Sequence, residues 1–250
     1  MNPQKPSHPS LQASAPGAEL TALEEAARYA LLQRLAPALQ HHMLGKFQSM
    51  GMIVAMMERR LQSAAPDLAI IREECASLRS SSQTALNSII DLMTWVDPQI
   101  ASPLKFQAGL RECLYLLSSE LRFRGFVIVN EVPEIDVELS SRALRSVLCA
   151  TLIALSDPSQ APADLVIRAR VTPEHLELSI ARRLHKGDAR KVYMTDFRPL
   201  KWREVEMLAI ADAVTLTHGY EGAALTFART DQSAHAGLPG DPAIEAGSRP

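Results

Sequence analysis

Two adjacent histidines, His41 and His42, stand in the middle of a long apolar-periodic segment, Leu39-Gln40-His41-His42-Met43-Leu44-Gly45-Lys46-Phe47. Imidazole titrates near neutral pH, so either ring can serve as a base, a nucleophile or a metal ligand. A partly exposed ring on a rigid helix can also accept a phosphoryl group and hand it on. Adjacent helical residues point in different directions, so the two rings cannot converge on one ion, which disfavours a metal site. A phosphoacceptor and a satisfied or solvated pair without function are the readings that stay open. Lys46, one turn beyond, could steady phosphoryl oxygens.

These side chains need a frame. Leu31, Leu35, Leu39, Met43, Phe47, Met50, Ile53, Val54, Met57 and Leu61 recur at three- and four-residue steps, which predicts a helix over about Glu19 to Gln62. Pro37 lies inside it and should kink it. Asp67 reads as the N-cap of a second helix, from about Leu68 to Val96, with the stripe Ile71, Cys75, Leu78, Leu86, Ile89 or Ile90, and Met93. The spacing predicts an antiparallel hairpin of matched helices. It places the polar stretch Ser80–Ser82 and Thr84 opposite the histidines. The methionines Met50, Met52, Met56 and Met57 are expected as core filler, with an adaptable partner surface as the alternative. So long a hairpin cannot bury both stripes alone, and dimerisation into a four-helix bundle would hide the rest.

Beyond Asp97-Pro98 the pattern changes. A helix over 102–124 closes at Gly125. Phe126–Val129 and Val137–Leu139 read as short strands, and Ser140 or Ser141 caps a helix reaching about Leu155. Leu165–Val171 and Leu176–Ile180 alternate as a strand hairpin. A last helix from Trp202 to Val214 precedes strands at Thr215–Thr217 and Ala223–Phe227. Arg182, Arg183, Lys186, Arg190 and Lys191 read as a solvated loop. The expected class is α+β: a helical hairpin, then a small α/β sandwich.

The chain has 250 residues, 47% of them apolar, and a net charge of −2, which is globular and gives no basic field for nucleic acid. Cys75, Cys113 and Cys149 form no paired motif and read as reduced thiols, two of them (Cys113 and Cys149) in the core. No apolar run approaches a membrane span of about 18 residues. A cytoplasmic location is expected, with disordered tails at 1–17 and 231–250.

This layout resembles a sensor histidine kinase core: a dimerisation and histidine-phosphotransfer hairpin over 18–97 and a GHKL-type ATP-binding domain over 98–230. In that family the acceptor begins a motif H-[DE]-[LIM]-[RK]-[TGN]-x-[LF], with the second and sixth following residues facing the core. From His41 these are Met43 and Phe47; from His42 they are Leu44 and Gln48. The resemblance thus makes His41 the acceptor, with His42 as an alternative or assistant in the place of the usual acid. The family's metal-binding Asn positions fall at Ala150 and Ala154. Its D-x-G-x-G falls at Ala181-Arg182-Arg183-Leu184-His185-Lys186-Gly187, and its glycine-rich phosphate loop is replaced by Val205-Glu206-Met207-Leu208. His218-Gly219-Tyr220 looks like the turn that follows. Such a site offers Mg²⁺ no oxygen donors and nucleotide no close backbone. The resemblance therefore implies a degenerate domain kept for shape, as in dimeric histidine phosphotransferases. It implies a homodimer that meets a response-regulator receiver domain, which would bring the aspartyl phosphate and Mg²⁺; no cofactor of its own is expected. His41 would be the nucleophile, with Met43, Leu44, Lys46 and Phe47 at the docking face. A diverged kinase and a non-enzymatic dimeric adaptor are the competing functions.

Overall fold

The computed structural model describes residues 16–96, 102–158, 161–184 and 197–230. The first helix, α1, runs unbroken from Pro16 to Leu61 through Pro37, and α2 spans Leu68–Val96. Asp67 caps α2 as expected: its Oδ1 accepts from the backbone N–H of Ala69 at 2.9 Å and of Ile70 at 3.2 Å. A short strand β1 (Pro103–Lys105), which the sequence reading absorbed into the following helix, precedes α3 (Phe106–Phe123). Then come β2 (Phe126–Asn130), β3 (Glu138–Ser140), α4 (Ser141–Ser156), β4 (Ala163–Val171), β5 (His175–Leu184), α5 (Trp202–Ala211), β6 (Thr215–His218) and β7 (Gly222–Ala228). Among the described residues no helix is long and apolar enough to cross a membrane.

Five strands form one mixed sheet in the order β2-β4-β5-β7-β6, with β2 parallel to β4 and the other pairs antiparallel. The parallel pair is joined by a crossover through α4, as a parallel connection requires. β1 and β3 make a separate antiparallel pair at the base of α3 and α4. Alternation turns Leu176, Leu178 and Ile180 of β5 and Ala223, Leu225 and Phe227 of β7 into the core, where they meet Leu144, Leu148 and Leu152 of α4. Gly109 lets α3 approach closely: a Cβ there would stand 2.6 Å from Leu144 and 2.7 Å from Leu104. Gly125 supplies the positive φ of 90° that ends α3. Cys113 and Cys149 lie buried side by side, and burial pushes the Cys149 thiol well up, so these are inert core thiols.

The two long helices are not matched. α1 has 46 residues and α2 has 29. Only the C-terminal half of α1 pairs with α2; its N-terminal half lies on α3, α4 and α5. Ala27, Ala30, Leu31 and Leu35 are buried there as members of the α/β core. The upper part of the apolar stripe therefore serves that domain and not the hairpin.

A cluster of charges pins this contact. Arg34 of α1 donates through Nη2 to Asp157 Oδ1 at 3.0 Å and to Glu120 Oε1 at 2.6 Å. Arg124 donates through Nη1 to the same Asp157 oxygen at 3.0 Å, and the Leu200 N–H reaches Asp157 Oδ2 at 2.8 Å. Asp157 is the C-cap of α4, a position where the helix dipole disfavours a carboxylate. Two guanidiniums offset that. Removing the carboxylate charge leaves two buried cations poorly compensated, so Asp157→Asn should lower stability by about 3 kcal/mol, read as a shift in the urea-unfolding midpoint.

Candidate functional site

The charge cluster fixes the roll of α1 about its axis. His41 is seven residues after Arg34, two turns along nearly the same face. It is exposed, and it lines a cleft of about 420 Å³ between α1 and α3 together with Arg34, Pro37, Tyr115, Ser119 and Glu120. The guanidinium of Arg34 lies 5.5 Å from the Phe197 ring centroid at the same cleft.

His42 borders the same cleft and also reaches round toward α2. Its ring meets Tyr115 edge-on at 5.4 Å, and it lines a second cavity, about 320 Å³, with Met43, Lys46, Ser88, Trp95 and Glu112. Burial, and after it the ammonium of Lys46, pushes its pKa below the ordinary histidine value. Lys46 donates to Ser88 Oγ across the hairpin, so it faces α2, and it does not line the His41 cleft. Leu44 and Phe47, at 49% and 47%, stay half exposed on the outer wall of α1. Phe47 does not enter a core in this chain, whereas Met43 is half-buried beside His42.

The hairpin register moves the polar stretch away from the histidines. Lys46 meets Ser88 and Arg60 meets Glu74, one uniform antiparallel register along both helices. Stepping back from Lys46 puts His41 level with Met93, and Ser80–Ser82 level with Met52–Val54, about three turns further along. The reading that set Ser80–Ser82 and Thr84 opposite the histidines is corrected; Thr84 stands level with Met50. Ile71, Leu78, Ala85 and Ile89 face α1, while Cys75, Leu86, Ile90 and Met93 face outward. Met52 and Met56 are exposed too, not core filler.

The positions assigned to the lost nucleotide site fall together. Ala150 and Ala154 are buried on α4, and Ala154 and Arg182 line one cavity of about 330 Å³ with Trp202, His218 and Tyr220. Val205 and Leu208 are buried in the core. Arg182 corrects the expectation of a solvated loop. β5 continues to Leu184, so the alternation that buries Leu176, Leu178 and Ile180 also turns Arg182 inward. Arg183 is exposed; His185, Lys186, Gly187, Arg190 and Lys191 lie outside the described residues.

Sequence reasoning missed the floor of the His41 cleft. Arg34 carried a usable signal, a lone charge between Leu31 and Leu35 on an otherwise apolar face. Ser119 and Glu120 carried none. For His42, a fold that prefers the neutral ring loses stability as pH falls from the ordinary histidine value through the lowered one. NMR of the ring protons should show His42 titrating at lower pH than a histidine in a short peptide, and that displacement should shrink in Lys46→Gln.

No protein-family model and no curated protein matches the chain. Solved structures do. The histidine kinase AdeS of Acinetobacter baumannii is 17% identical, with 71% of this chain and 94% of that one covered at a TM-score of 0.38. A histidine kinase from Burkholderia phymatum is 13% identical, covering 78% and 97% at 0.40. A bacterial phosphotransferase is 12% identical, covering 87% and 100% at 0.35. The chain is similar to these histidine-kinase-like proteins in carrying helices together with a mixed sheet in one α+β arrangement.

Proposed function

We propose that this chain is a histidine phosphotransferase-like protein of a two-component phosphorelay, exchanging a phosphoryl group between His41 and receiver-domain aspartates without binding ATP. The observation that carries the reading is the placement of His41: solvent-exposed, on a helix pinned by buried charges, at the mouth of a cleft. In this reading the C-terminal half of α1 and α2 form the phosphotransfer hairpin, and the ATPase-like domain that follows, with the N-terminal half of α1 packed on it, is kept as a scaffold. The unprotonated nitrogen of His41 attacks phosphorus in line. An N–P bond forms, the aspartyl P–O bond breaks, and its electron pair returns to the receiver carboxylate. Mg²⁺ belongs to the receiver. Leu44 and Phe47, within two turns of His41, belong in this reading to the dimer seam, so the receiver meets His41 across the rim of its cleft. Ala150, Ala154 and Arg182 support a role without ATP: two methyl groups and a cation stand where oxygen donors would be needed.

The reading includes a homodimer. On α1 the exposed Leu44, Phe47, Val54 and Leu61 recur at three- and four-residue steps or their sums; on α2 Leu86, Ile90 and Met93 do the same. The hairpin register sets these two seams side by side, one apolar face of the kind that closes a four-helix bundle. The adaptor reading is favoured by the same face. It needs no histidine chemistry.

Incubation with a phosphorylated receiver should label the wild-type chain and His42→Gln, and fail to label His41→Gln; labelling of His41→Gln overturns the assignment. Loss of both histidines without loss of receiver binding or of signalling in cells would favour the adaptor. Light scattering should give a dimer for the parent and a monomer for the double variant Phe47→Glu, Ile90→Glu, with the α/β domain still folded by its thermal melt.

A further inference from the structure

Arg182 is a buried cation with no anionic partner among the described residues. It is 8% exposed, and among the described residues no carboxylate or carbonyl accepts from its side chain. The two nitrogens left unpaired are Nε and Nη2. These lie on one edge of the guanidinium, the fork that takes both oxygens of a carboxylate or two of a phosphate. The cavity beside it is built for a flat body. Trp202 and His218 stack with centroids 4.1 Å apart and planes within 2°, and His218 Nε2 is held by Glu206 Oε1 at 2.8 Å. Ala154, Leu155 and Pro158 make an apolar floor. At about 330 Å³ the space suits a small molecule, and among the described residues no acidic side chain lines it.

We propose that this cavity binds a small planar organic oxyanion, its carboxylate or phosphate on the Arg182 fork and its ring against the Trp202–His218 wall. The Tyr220 ring, its centroid 4.0 Å from the Arg182 Cζ, covers one face of the guanidinium. Tyr220 is itself 76% exposed beside the β6–β7 turn, so it can rotate off to admit the ligand. A buried cation whose N–H edge is unpaired is unfavourable by itself, and an arriving anion removes that penalty. The cavity includes Ala154 and Arg182, yet its charge is the opposite of what a nucleobase amino group requires: it selects oxyanions over a neutral nucleoside. The proposal stands apart from phosphotransfer and survives if His41 is not a phosphoacceptor.

The test titrates the full chain with phenyl phosphate, benzoate and adenosine by calorimetry, with the Trp202 indole signal followed by NMR. Saturable binding of phenyl phosphate or benzoate at millimolar concentration or below is expected, lost by about tenfold or more in Arg182→Met, with no heat from adenosine. Arg182→Met removes an uncompensated buried charge, so it should melt no lower than the parent. Arg182→Lys, which keeps the charge and drops the fork, should show the same loss of binding and serves if the methionine variant does not fold. Silence from both anions, equal affinity in the Arg182 variants, or adenosine binding as well as the anions would each overturn the proposal.

Discussion

The contact between Arg34, Arg124, Asp157 and Glu120 is the constraint on which the rest of the molecule turns. Each charge taken from water costs several kcal/mol, and only close, multiple pairing repays it. Asp157 meets that condition: its two oxygens accept from two guanidiniums and from the Leu200 N–H. One carboxylate thereby ties the ends of α3 and α4 and the segment before α5 to a turn of α1. An apolar contact alone would let a long helix slide or roll by a residue at small cost. Directional bonds to a fork do not, because a roll of one residue turns Arg34 about 100° away from its acceptors.

That anchoring divides α1 into two lengths with different roles. The N-terminal half is core, with Leu31 and Leu35 closed against the α/β domain. The C-terminal half projects beyond it as one arm of the hairpin, where among the described hairpin residues after Gln40 only Ala85 is fully buried. The helix is stiff, so orientation set at Arg34 carries two turns on to His41. The α/β domain packs directly onto the helix that carries His41.

Much of this was legible in the sequence, for local reasons. The limits of α2, the Asp67 cap, the positive φ at Gly125 and the β4–β5 hairpin each follow from a few neighbouring residues. What escaped depends on distant partners. The periodicity of α1 announces an apolar stripe without saying that Leu31 and Leu35 join the α/β core while Phe47 stays half exposed. The helix continues through Pro37 from Pro16 to Leu61, one missing N–H notwithstanding. β1 is three residues long and exists only because β3 pairs with it. Arg182 was taken for loop because charge outweighed alternation; the strand simply continued past Ile180.

The pair of histidines shows why position on a helix matters more than residue type. One residue of separation rotates the side chain by about 100°, enough here to set one ring in solvent and the other against Tyr115. Burial, and after it the Lys46 ammonium, shifts the sheltered ring toward its neutral form. A cationic His42 would stand next to an incoming phosphoryl group and hold it by charge; such a hold steadies the phosphorylated state as much as the transition state and would slow the return transfer. A neutral neighbour avoids that trap. Under the phosphotransfer proposed above, a His42 shifted toward its neutral form, in the place where the family resemblance expects an acid, would add no such hold beside His41.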